Sequence, residues 1–382
     1  MSVPVPRFVA KLLPEHFVTN ELSLLVFGPG HGEAMVVILP DGSLGVIDGC
    51  REPPGDPVDA FVSSWLNEDS ARRISFVGLT HPHEDHYRGL GRLIDNYDRR
   101  IDALWRTQLT GGRWGQSYVQ YAEFCEQNDD SVPIADELAG LTRVIGAFER
   151  RRDRLDVLCQ DKTMLSRSVC DHDLSVLCLA PSANDVDRAQ SDLLEVIRSE
   201  SRVGHDPNLT SSALLVKWGG AQLLLGGDLV CACRGFEGWA SAQRSVRGTT
   251  QIVKASHHAS SQALHWDLLE RVASTLTIVT PFKHAVSSYP PQPEGIQGLL
   301  GRRQAVAITS IPEWAASCGV KGTRPIDPPP PRAQRRRERN PALAIAPVSP
   351  VETNNAVGVS LTADGTITRL VLAGNARLYS AG

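Results

Sequence analysis

The feature that most constrains the fold is a six-residue cluster, His81-Pro82-His83-Glu84-Asp85-His86, which directly follows a mostly apolar run at 74–80. That run is short and partly β-branched, which predicts a buried strand. The cluster therefore lies where a strand ends, and this is where open α/β sheets bind ligands. Imidazole nitrogens and carboxylate oxygens suit zinc and related divalent ions. A polar loop that happens to be rich in histidine is the alternative.

Strand geometry divides the cluster into two groups. Alternation along an extended chain places its first two histidines on one face. Its aspartate and last histidine then follow round the turn, where they can approach a second ion. The sequence thus predicts a site for one or two divalent cations at the end of this strand.

Length and composition indicate a globular protein. The chain has 382 residues, of which 42% are hydrophobic and 21% charged, and these fractions are ordinary for soluble proteins. This length allows one large α/β domain with an appendage, or two domains. A net charge of −4 provides no overall positive field that would attract nucleic acid.

Cysteine usage and the absence of targeting signals predict a cytoplasmic protein. The eight cysteines form no Cys-x-x-Cys pair, which favours reduced thiols. Cys231-Ala232-Cys233 is a weak indication of metal binding, with incidental cysteines as the alternative. The N-terminus lacks a charged region followed by an apolar stretch, so we expect no signal peptide. No apolar run approaches the ~20 residues that span a bilayer, and we expect no membrane association.

The first part of the chain predicts three antiparallel strands, at 22–28, 34–39 and 44–47, and the last of them ends in Asp48. A helix is expected to begin at Asp56, because Asp is a good N-cap and the following proline suits the first helical position. After the histidine cluster, the pattern predicts a further helix over 87–97.

A second informative stretch begins at Asn208-Leu209-Thr210-Ser211. It continues as two apolar strands around a Gly-Gly turn and ends in Gly-Asp228. A buried carboxylate at a strand end is costly without a partner, which favours a cation there. The next predicted strand, 252–256, ends in His257-His258.

In these motifs the sequence resembles the metallo-β-lactamase superfamily. Asp48 matches its first motif, the His-x-His-x-Asp-His cluster its second, Asp228 its fourth, and His257 a later ligand. The stretch from Asn208 to Asp228 is similar to the hydrolase domain of competence-type DNA-uptake channels. The resemblance covers about residues 20–310. It implies an α/β protein with an αβ/βα four-layer sandwich, in which two mixed sheets lie face to face with helices outside.

The resemblance also implies two divalent ions, with Zn²⁺ as the first choice and Mn²⁺ as the alternative. The superfamily's third-motif histidine is absent, because Asn208 stands at the aligned position; His205 is a possible substitute. One ion therefore has fewer strong ligands. The implied ligands are His81, His83 and Asp228 for one ion, and Asp85, His86, His257 and the shared Asp228 for the other.

Further roles follow from the same resemblance. Asp85 would orient the nucleophile, and His258 would face the substrate and donate a proton or hydrogen bond, although His257 and His258 could exchange roles. Asp48 is expected to support the metal site through hydrogen bonds. Lys283 could bind an anionic group, with a plain surface lysine as the alternative. The predicted supporting residues are Asp48, Asn208, Ser211 and Lys283.

The parts outside the motifs predict three additions to a hydrolase domain at 1–318. A helical insertion at about 110–167, with helices at 117–128 and 134–160, could cap the site, and the charged run at 149–154 reads as a solvated helix face. A Pro/Arg-rich linker is predicted at 319–341. The segment 342–382 contains a β-hairpin, which should dock on the main domain or on a protein partner because a lone hairpin is barely stable.

These features together predict a metal-dependent hydrolase that uses a metal-bound hydroxide. Phosphodiesters are the first substrate hypothesis, so the enzyme would be a nuclease or phosphodiesterase, and nucleic acid is a candidate partner. Hydrolysis of an ester, lactone, amide or thioester is the second hypothesis. A third is a scaffold that keeps the fold but performs little chemistry.

Overall fold

The computed structural model describes residues 3–28, 32–50, 55–112, 114–117, 119–120, 134–199, 206–282, 290–302, 305–310, 323–326 and 354–381. The strands are β1 (Arg7–Val9), β2 (Leu22–Phe27), β3 (Ala34–Ile38), β4 (Leu44–Ile47), β5 (Gly49–Cys50), β6 (Ile74–Gly78), β7 (Leu104–Arg106), β8 (Leu155–Val157), β9 (Lys162–Val169), β10 (His172–Cys178), β11 (Leu214–Trp218), β12 (Ala221–Leu225), β13 (Ile252–Lys254), β14 (Leu276–Val279), β15 (Ala305–Ile308), β16 (Thr323–Ile326), β17 (Ala356–Leu361), β18 (Ile367–Ala373) and β19 (Arg377–Ala381). The helices are α1 (Pro57–Glu68), α2 (Glu84–Tyr87), α3 (Leu90–Asn96), α4 (Ile134–Glu149), α5 (Ala183–Ser199), α6 (Trp239–Ala242), α7 (Trp266–Val272) and α8 (Pro293–Gly301).

Within these residues the strands form two mixed sheets of nine strands each. The first has the order β1-β18-β17-β2-β3-β4-β6-β7-β8, and the second has the order β16-β19-β15-β14-β13-β12-β11-β10-β9. In the first sheet β4, β6, β7 and β8 run parallel. In the second sheet β12, β13, β14 and β15 do so. Each parallel block therefore aligns the carboxyl ends of its strands at one edge.

Alternation along β2 shows how the layers arise. Leu24 and Val26 enter the core shared by both sheets, which also contains Val216 of β11. Leu25 and Phe27 point the opposite way, into a core with α1, α3 and α4. A third core packs α6, α7 and α8 against the outer face of the second sheet. The order is helix, sheet, sheet, helix, so the predicted αβ/βα four-layer sandwich is confirmed.

Helix α1 follows the prediction from its capping signal. Asp56 accepts a hydrogen bond from the Val58 N–H at 2.9 Å, and Pro57 occupies the first helical position. The apolar side of the helix is buried, with Phe61 and Trp65 stacked at a ring-centroid distance of 6.0 Å. The buried side of α1 shares a core with strands β2, β3 and β4, which anchors the helix on the first sheet.

The helix predicted over 87–97 is divided in the structure. Helix α2 ends at Tyr87 and α3 begins at Leu90, because Gly89 between them has a left-handed φ of 78°. The division matters for the site, since the short helix α2 contains the aspartate and last histidine of the cluster at 81–86.

The helix predicted over 134–160 was too long. Helix α4 ends at Glu149, and the chain then forms strand β8 in the first sheet and β9 in the second. Arg151 leaves the helical region and pairs with Asp98 at 2.5 Å, and Arg154 pairs with the same carboxylate at 2.6 Å. The charged run is therefore tied to the domain by ion pairs and is not a solvated helix face. Most of the helix predicted at 117–128 lies outside the described residues.

The C-terminal hairpin belongs to the sandwich. Strand β17 pairs with β2, β18 pairs with β1, and β19 pairs with β15 in the second sheet. In the predicted linker, β16 forms a strand beside β19, while the rest of 319–341 lies outside the described residues. Among the described residues, no helix combines the length and the apolar character that crossing a bilayer requires.

Candidate metal centre

The motif residues converge because they all follow strands that end at the same edge. Asp48 follows β4, the histidine cluster follows β6, Asp228 follows β12 and His257 follows β13. A backbone hydrogen bond of 2.9 Å from the Ser212 N–H to the Thr80 carbonyl joins the two sheets there. The site therefore lies at the junction of the sheets, at the carboxyl ends of their parallel strands.

Four side chains, which we call the central cluster, meet at this junction. They are Asp85, His86, Asp228 and His258. His86 Nε2 lies 3.5 Å from both Asp85 Oδ2 and Asp228 Oδ1. His258 Nε2 lies 3.4 Å from Asp85 Oδ2 and 3.6 Å from Asp228 Oδ2. Three of the four are buried, and 13% of the Asp85 side chain is exposed.

The donor atoms of the central cluster fit a cation. Among the described residues, neither His86 Nε2 nor Asp228 Oδ1 makes a hydrogen bond, although both are buried. Buried polar atoms are normally paired, so two unpaired ligand atoms that face each other indicate a missing partner. Nitrogen and oxygen donors of this kind suit zinc and similar ions.

Asp48 fixes the orientation of His86 from the side of the ring opposite the central cluster. Its carboxylate accepts hydrogen bonds from the Thr80 N–H and hydroxyl, both at 2.7 Å, and from His86 Nδ1–H at 2.8 Å. Because Nδ1 carries this proton, the lone pair of Nε2 in a neutral ring faces the central cluster. Such a carboxylate–histidine arrangement fixes the orientation of metal-ligating histidines.

Glu33 lies behind His258, where the Thr280 carbonyl is the hydrogen-bond partner of the ring, and sequence reasoning did not identify Glu33. Its Oε2 lies 3.4 Å from His258 Nδ1, and the same Nδ1 is 2.9 Å from the Thr280 carbonyl oxygen. Glu33, His86, Asp228 and His258 each offer one ligand atom, and these atoms all lie within 4.8 Å of one another. The signal in the sequence was one acidic residue directly before the fully apolar strand β3.

Of the two arrangements left open for His257 and His258, the geometry favours the exchanged one. His258, which was expected to face the substrate, joins the central cluster. His257 turns away from it, with Nε2 3.3 Å from Asn208 Nδ2 and Nδ1 3.1 Å from the Ser260 hydroxyl. Sequence spacing does not distinguish two adjacent histidines, because the backbone of the turn decides which ring points inward.

That turn is unusual. His257, His258 and Ala259 have φ values of 44°, 55° and 59°, and each left-handed non-glycine residue costs roughly 1–2 kcal/mol. The His257 N–H donates to the Gly227 carbonyl at 3.0 Å. Gly227 is itself left-handed, and a Cβ there would lie 2.5 Å from the Ser212 carbonyl oxygen. Strain of this kind concentrates at functional sites.

His81 and His83 lie beside the central cluster as a second pair. His81 Nε2 and His83 Nδ1 are 3.2 Å apart, and the His81 and His86 ring centroids are 4.2 Å apart. Ser211 links the groups, since its hydroxyl lies 3.2 Å from His81 Nδ1 and accepts from the Asp228 N–H at 2.9 Å. Lys283 and the candidate substitute His205 lie outside the described residues.

The imidazoles and carboxylates of the central cluster shift one another's protonation equilibria. Burial acts to lower the pKa of His86, but Asp85, Asp228 and Asp48 outweigh it and raise that pKa well above its usual value. Burial would likewise lower the pKa of His258, which Asp228, Asp85 and Glu33 nevertheless raise. The imidazoles in turn hold the pKa values of Asp85 and Asp228 well below their usual range against the opposing effect of burial. The carboxylates therefore favour positive charge on the two imidazoles, and a bound cation would supply that charge instead.

Comparison with known proteins gave distant structural neighbours alone. No family model and no curated protein matches the chain. The metallo-β-lactamase fold protein YhfI from Bacillus subtilis is 10% identical, with 68% of this chain and 86% of that protein aligned at a TM-score of 0.36. Igni18, a metallo hydrolase from Ignicoccus hospitalis, is 10% identical over 74% of this chain and 94% of its own, with a TM-score of 0.34.

A variant of the β-hydroxylase CmlA is 12% identical, with a TM-score of 0.36; 69% of this chain aligns with 46% of that protein, so the chain spans less than half of it. These scores are too low to assign the chain to a family.

Proposed function

We propose that the protein is a metal-dependent hydrolase whose active site is the central cluster together with His81 and His83. The observation that carries the proposal is the convergence of two imidazole Nε2 atoms and two carboxylates from both sheets, at separations of 3.4–3.6 Å. An approach this close between potential ligand atoms is what a shared cation requires, and without one the buried carboxylates would be costly.

The ligand set can be divided between two ions. Asp85, His86 and His258 would hold one ion, and His81 and His83 would hold the other. Asp228 would also bind the first ion, because Oδ1 faces His86 and Oδ2 faces His258. Ser211 connects the backbone N–H of Asp228 to the ring of His81, so this carboxylate lies beside the second pair and would be shared with the second ion. Asn208 supplies no imidazole, so we expect the ion at His81 and His83 to bind more weakly. Zn²⁺ is the first choice and Mn²⁺ the alternative.

Ions bound there would supply a water molecule of lowered pKa and would stabilise negative charge on the substrate. The chain's own residues orient the reactants. Asp85, which is partly exposed, can accept a hydrogen bond from the attacking water. Asn208 Oδ1 is buried and makes no hydrogen bond among the described residues. With the adjacent His257, which is half-buried, it forms a polar wall where substrate can be hydrogen-bonded.

Phosphodiesters are the substrate class that we propose first. The support is the resemblance of the stretch from Asn208 to Asp228 to the hydrolase domain of competence-type DNA-uptake channels. In the structure, Ser211 of this stretch contacts both the backbone N–H of Asp228 and the ring of His81. Two ions are well suited to phosphoryl chemistry, because they stabilise both the attacking and the leaving oxygen. The same centre would also serve an ester, lactone, amide or thioester, so this second class belongs in the same assay.

The test combines metal analysis with a substrate panel. The purified protein is loaded with Zn²⁺ or Mn²⁺, its bound ions are counted, and it is assayed on bis-p-nitrophenyl phosphate, single-stranded DNA, RNA, cyclic nucleotides and lactones. Asp228→Asn should abolish both ion binding and turnover. Asp364→Asn, the same change in the exposed turn of the C-terminal hairpin, should leave both intact.

The outcomes separate the hypotheses. Failure to bind any divalent ion would contradict the metal centre and favour a scaffold. Cleavage of a lactone with no activity on any phosphodiester would retain the centre and contradict the first substrate class. If Asp228→Asn turned over substrate as fast as the wild type, the active site would lie elsewhere in the protein.

A further inference from the structure

An ion pair is buried beneath the proposed metal centre. Lys254 Nζ contacts Glu33 Oε1, and both side chains have 0% of their surface exposed. The pair joins the two sheets, since Lys254 ends β13 and Glu33 precedes β3, 221 positions away in the chain. Replacing a buried ion pair with apolar residues is often neutral or stabilising, so stability alone gives little reason for this pair.

The ion pair contacts the segments that carry three of the four residues in the central cluster. The Glu33 N–H donates to the Asp85 carbonyl at 3.0 Å. Lys254 Nζ lies 3.4 Å from the Gly227 carbonyl oxygen, one residue before Asp228. On the third side, Glu33 Oε2 lies 3.4 Å from His258 Nδ1.

Both carboxylate oxygens of Glu33 are already engaged. Lys254 occupies Oε1, and the Thr280 hydroxyl donates to Oε2 at 2.5 Å. Thr280 also places its carbonyl oxygen 2.9 Å from His258 Nδ1, and the Phe282 ring stacks on the His258 ring at a centroid distance of 5.0 Å. Glu33 is therefore poorly placed to bind an ion itself, and it faces the side of His258 opposite the ligand atom.

We propose that Glu33 and Lys254 are positioning residues of the metal centre. Glu33 orients His258 through its charge beside Nδ1 and through Thr280, whose hydroxyl donates to Glu33 while its carbonyl oxygen lies 2.9 Å from Nδ1. Nε2 then points at Asp85 and Asp228. Lys254 holds Glu33 in place and prevents it from acting as a competing ligand. This inference rests on the proposed function, because it concerns the affinity of the ion that His258 would hold. Losing an outer partner of this kind typically lowers metal affinity about 10–100-fold.

The experiment compares the wild type with Glu33→Gln and with the double variant Glu33→Gln/Lys254→Met, which contains no unpaired buried charge. Zn²⁺ affinity is measured by competition with a chromogenic chelator, and the visible absorption of the Co²⁺-loaded protein reports the ligand geometry. Unfolding in EDTA measures stability separately. Ser360→Ala removes a buried hydrogen bond of 2.8 Å to Ser23 within the first sheet, and it serves as a control for general destabilisation.

We expect both Glu33 variants to bind Zn²⁺ about 10–100-fold more weakly and to show an altered Co²⁺ spectrum. The double variant should recover stability without recovering affinity, and Ser360→Ala should retain the wild-type affinity. Thr280→Val removes the hydroxyl that donates to Glu33 and that also lies 3.2 Å from His258 Nδ1. It should lower affinity in the same direction and leaves the ion pair in place, so it tests the inference if changes at the pair prevent folding.

Two results would overturn the inference, and they are distinguishable. If the double variant bound Zn²⁺ with the wild-type affinity and gave the wild-type Co²⁺ spectrum, the ion pair would have no part in orienting the metal ligands. Absence of ion binding in the wild type would instead remove the proposed function, and this inference with it.

Discussion

Replacing Asp48 with asparagine tests how far the site depends on the carboxylate behind His86. Asp48 is fully buried and accepts three hydrogen bonds, two of them at Oδ2, from the Thr80 hydroxyl and from His86 Nδ1–H. Asparagine has a single acceptor oxygen, so its NH₂ group would face both donors at that position. Losing two hydrogen bonds to a charged group, at about 1.5–3 kcal/mol each, gives about 3–6 kcal/mol.

A loss of that size should leave the protein folded but easily unfolded, because domains are typically stable by about 5–15 kcal/mol. Since His86 would lose its orientation, Zn²⁺ affinity should also fall about 10–100-fold. Urea unfolding of EDTA-treated protein measures the first effect, and chelator competition measures the second. Asp364→Asn is the matched control, because that carboxylate accepts hydrogen bonds in an exposed turn far along the chain.

The reasoning about Asp48 would be refuted by a small effect on both quantities. A destabilisation below about 1 kcal/mol, the contribution of one ordinary hydrogen bond, together with unchanged Zn²⁺ affinity would mean that Asp48 neither supports the fold nor orients His86.

Three further predictions concern other parts of the chain. His258→Ala should abolish tight Zn²⁺ binding in chelator competition, whereas His257→Ala should keep it and lose turnover; equal affinities in the two variants would contradict the assignment. Burial acts to raise the pKa of Glu149, but hydrogen bonds from two arginines and a backbone N–H lower it to about 2 from an ordinary 4.5. This carboxylate therefore stabilises the fold above pH 4.5, and that contribution is lost as the pH falls towards 2. In urea unfolding, Glu149→Gln should be less stable than the wild type at pH 7 and nearly equal to it near pH 2; a pH-independent difference would contradict this. Gly227→Ala should destabilise the apo-protein by more than the roughly 1–2 kcal/mol of a left-handed alanine, because its Cβ would meet the Ser212 carbonyl oxygen; thermal unfolding that matches the wild type would show that the turn can relax.

Much of the fold was readable from local pattern. Short apolar runs separated by turn residues predicted β2, β3 and β4, and the Asp-Pro signal at Asp56 predicted the start of α1. Local reasoning failed where a single residue or a distant partner changed the course of the chain. Gly89 divided one predicted helix. Another ended at Glu149, after which Arg151 leaves the helical conformation and pairs with the distant Asp98.

The sequence by itself determined which chemical groups could meet, because each motif residue follows an apolar strand and parallel strands end at one edge. Together with the resemblance of these motifs to a known superfamily, this is why Asp48, the cluster at 81–86 and Asp228 could be named without a structure. Only the tertiary structure determined the direction in which each of these side chains points. The inward direction of His258 depends on three left-handed residues in one turn, and Glu33 reaches it only because the sheets bring together residues more than two hundred positions apart. Side-chain direction in an irregular turn, and the pairing of a buried charge, follow from packing between the sheets, and no local sequence pattern encodes them.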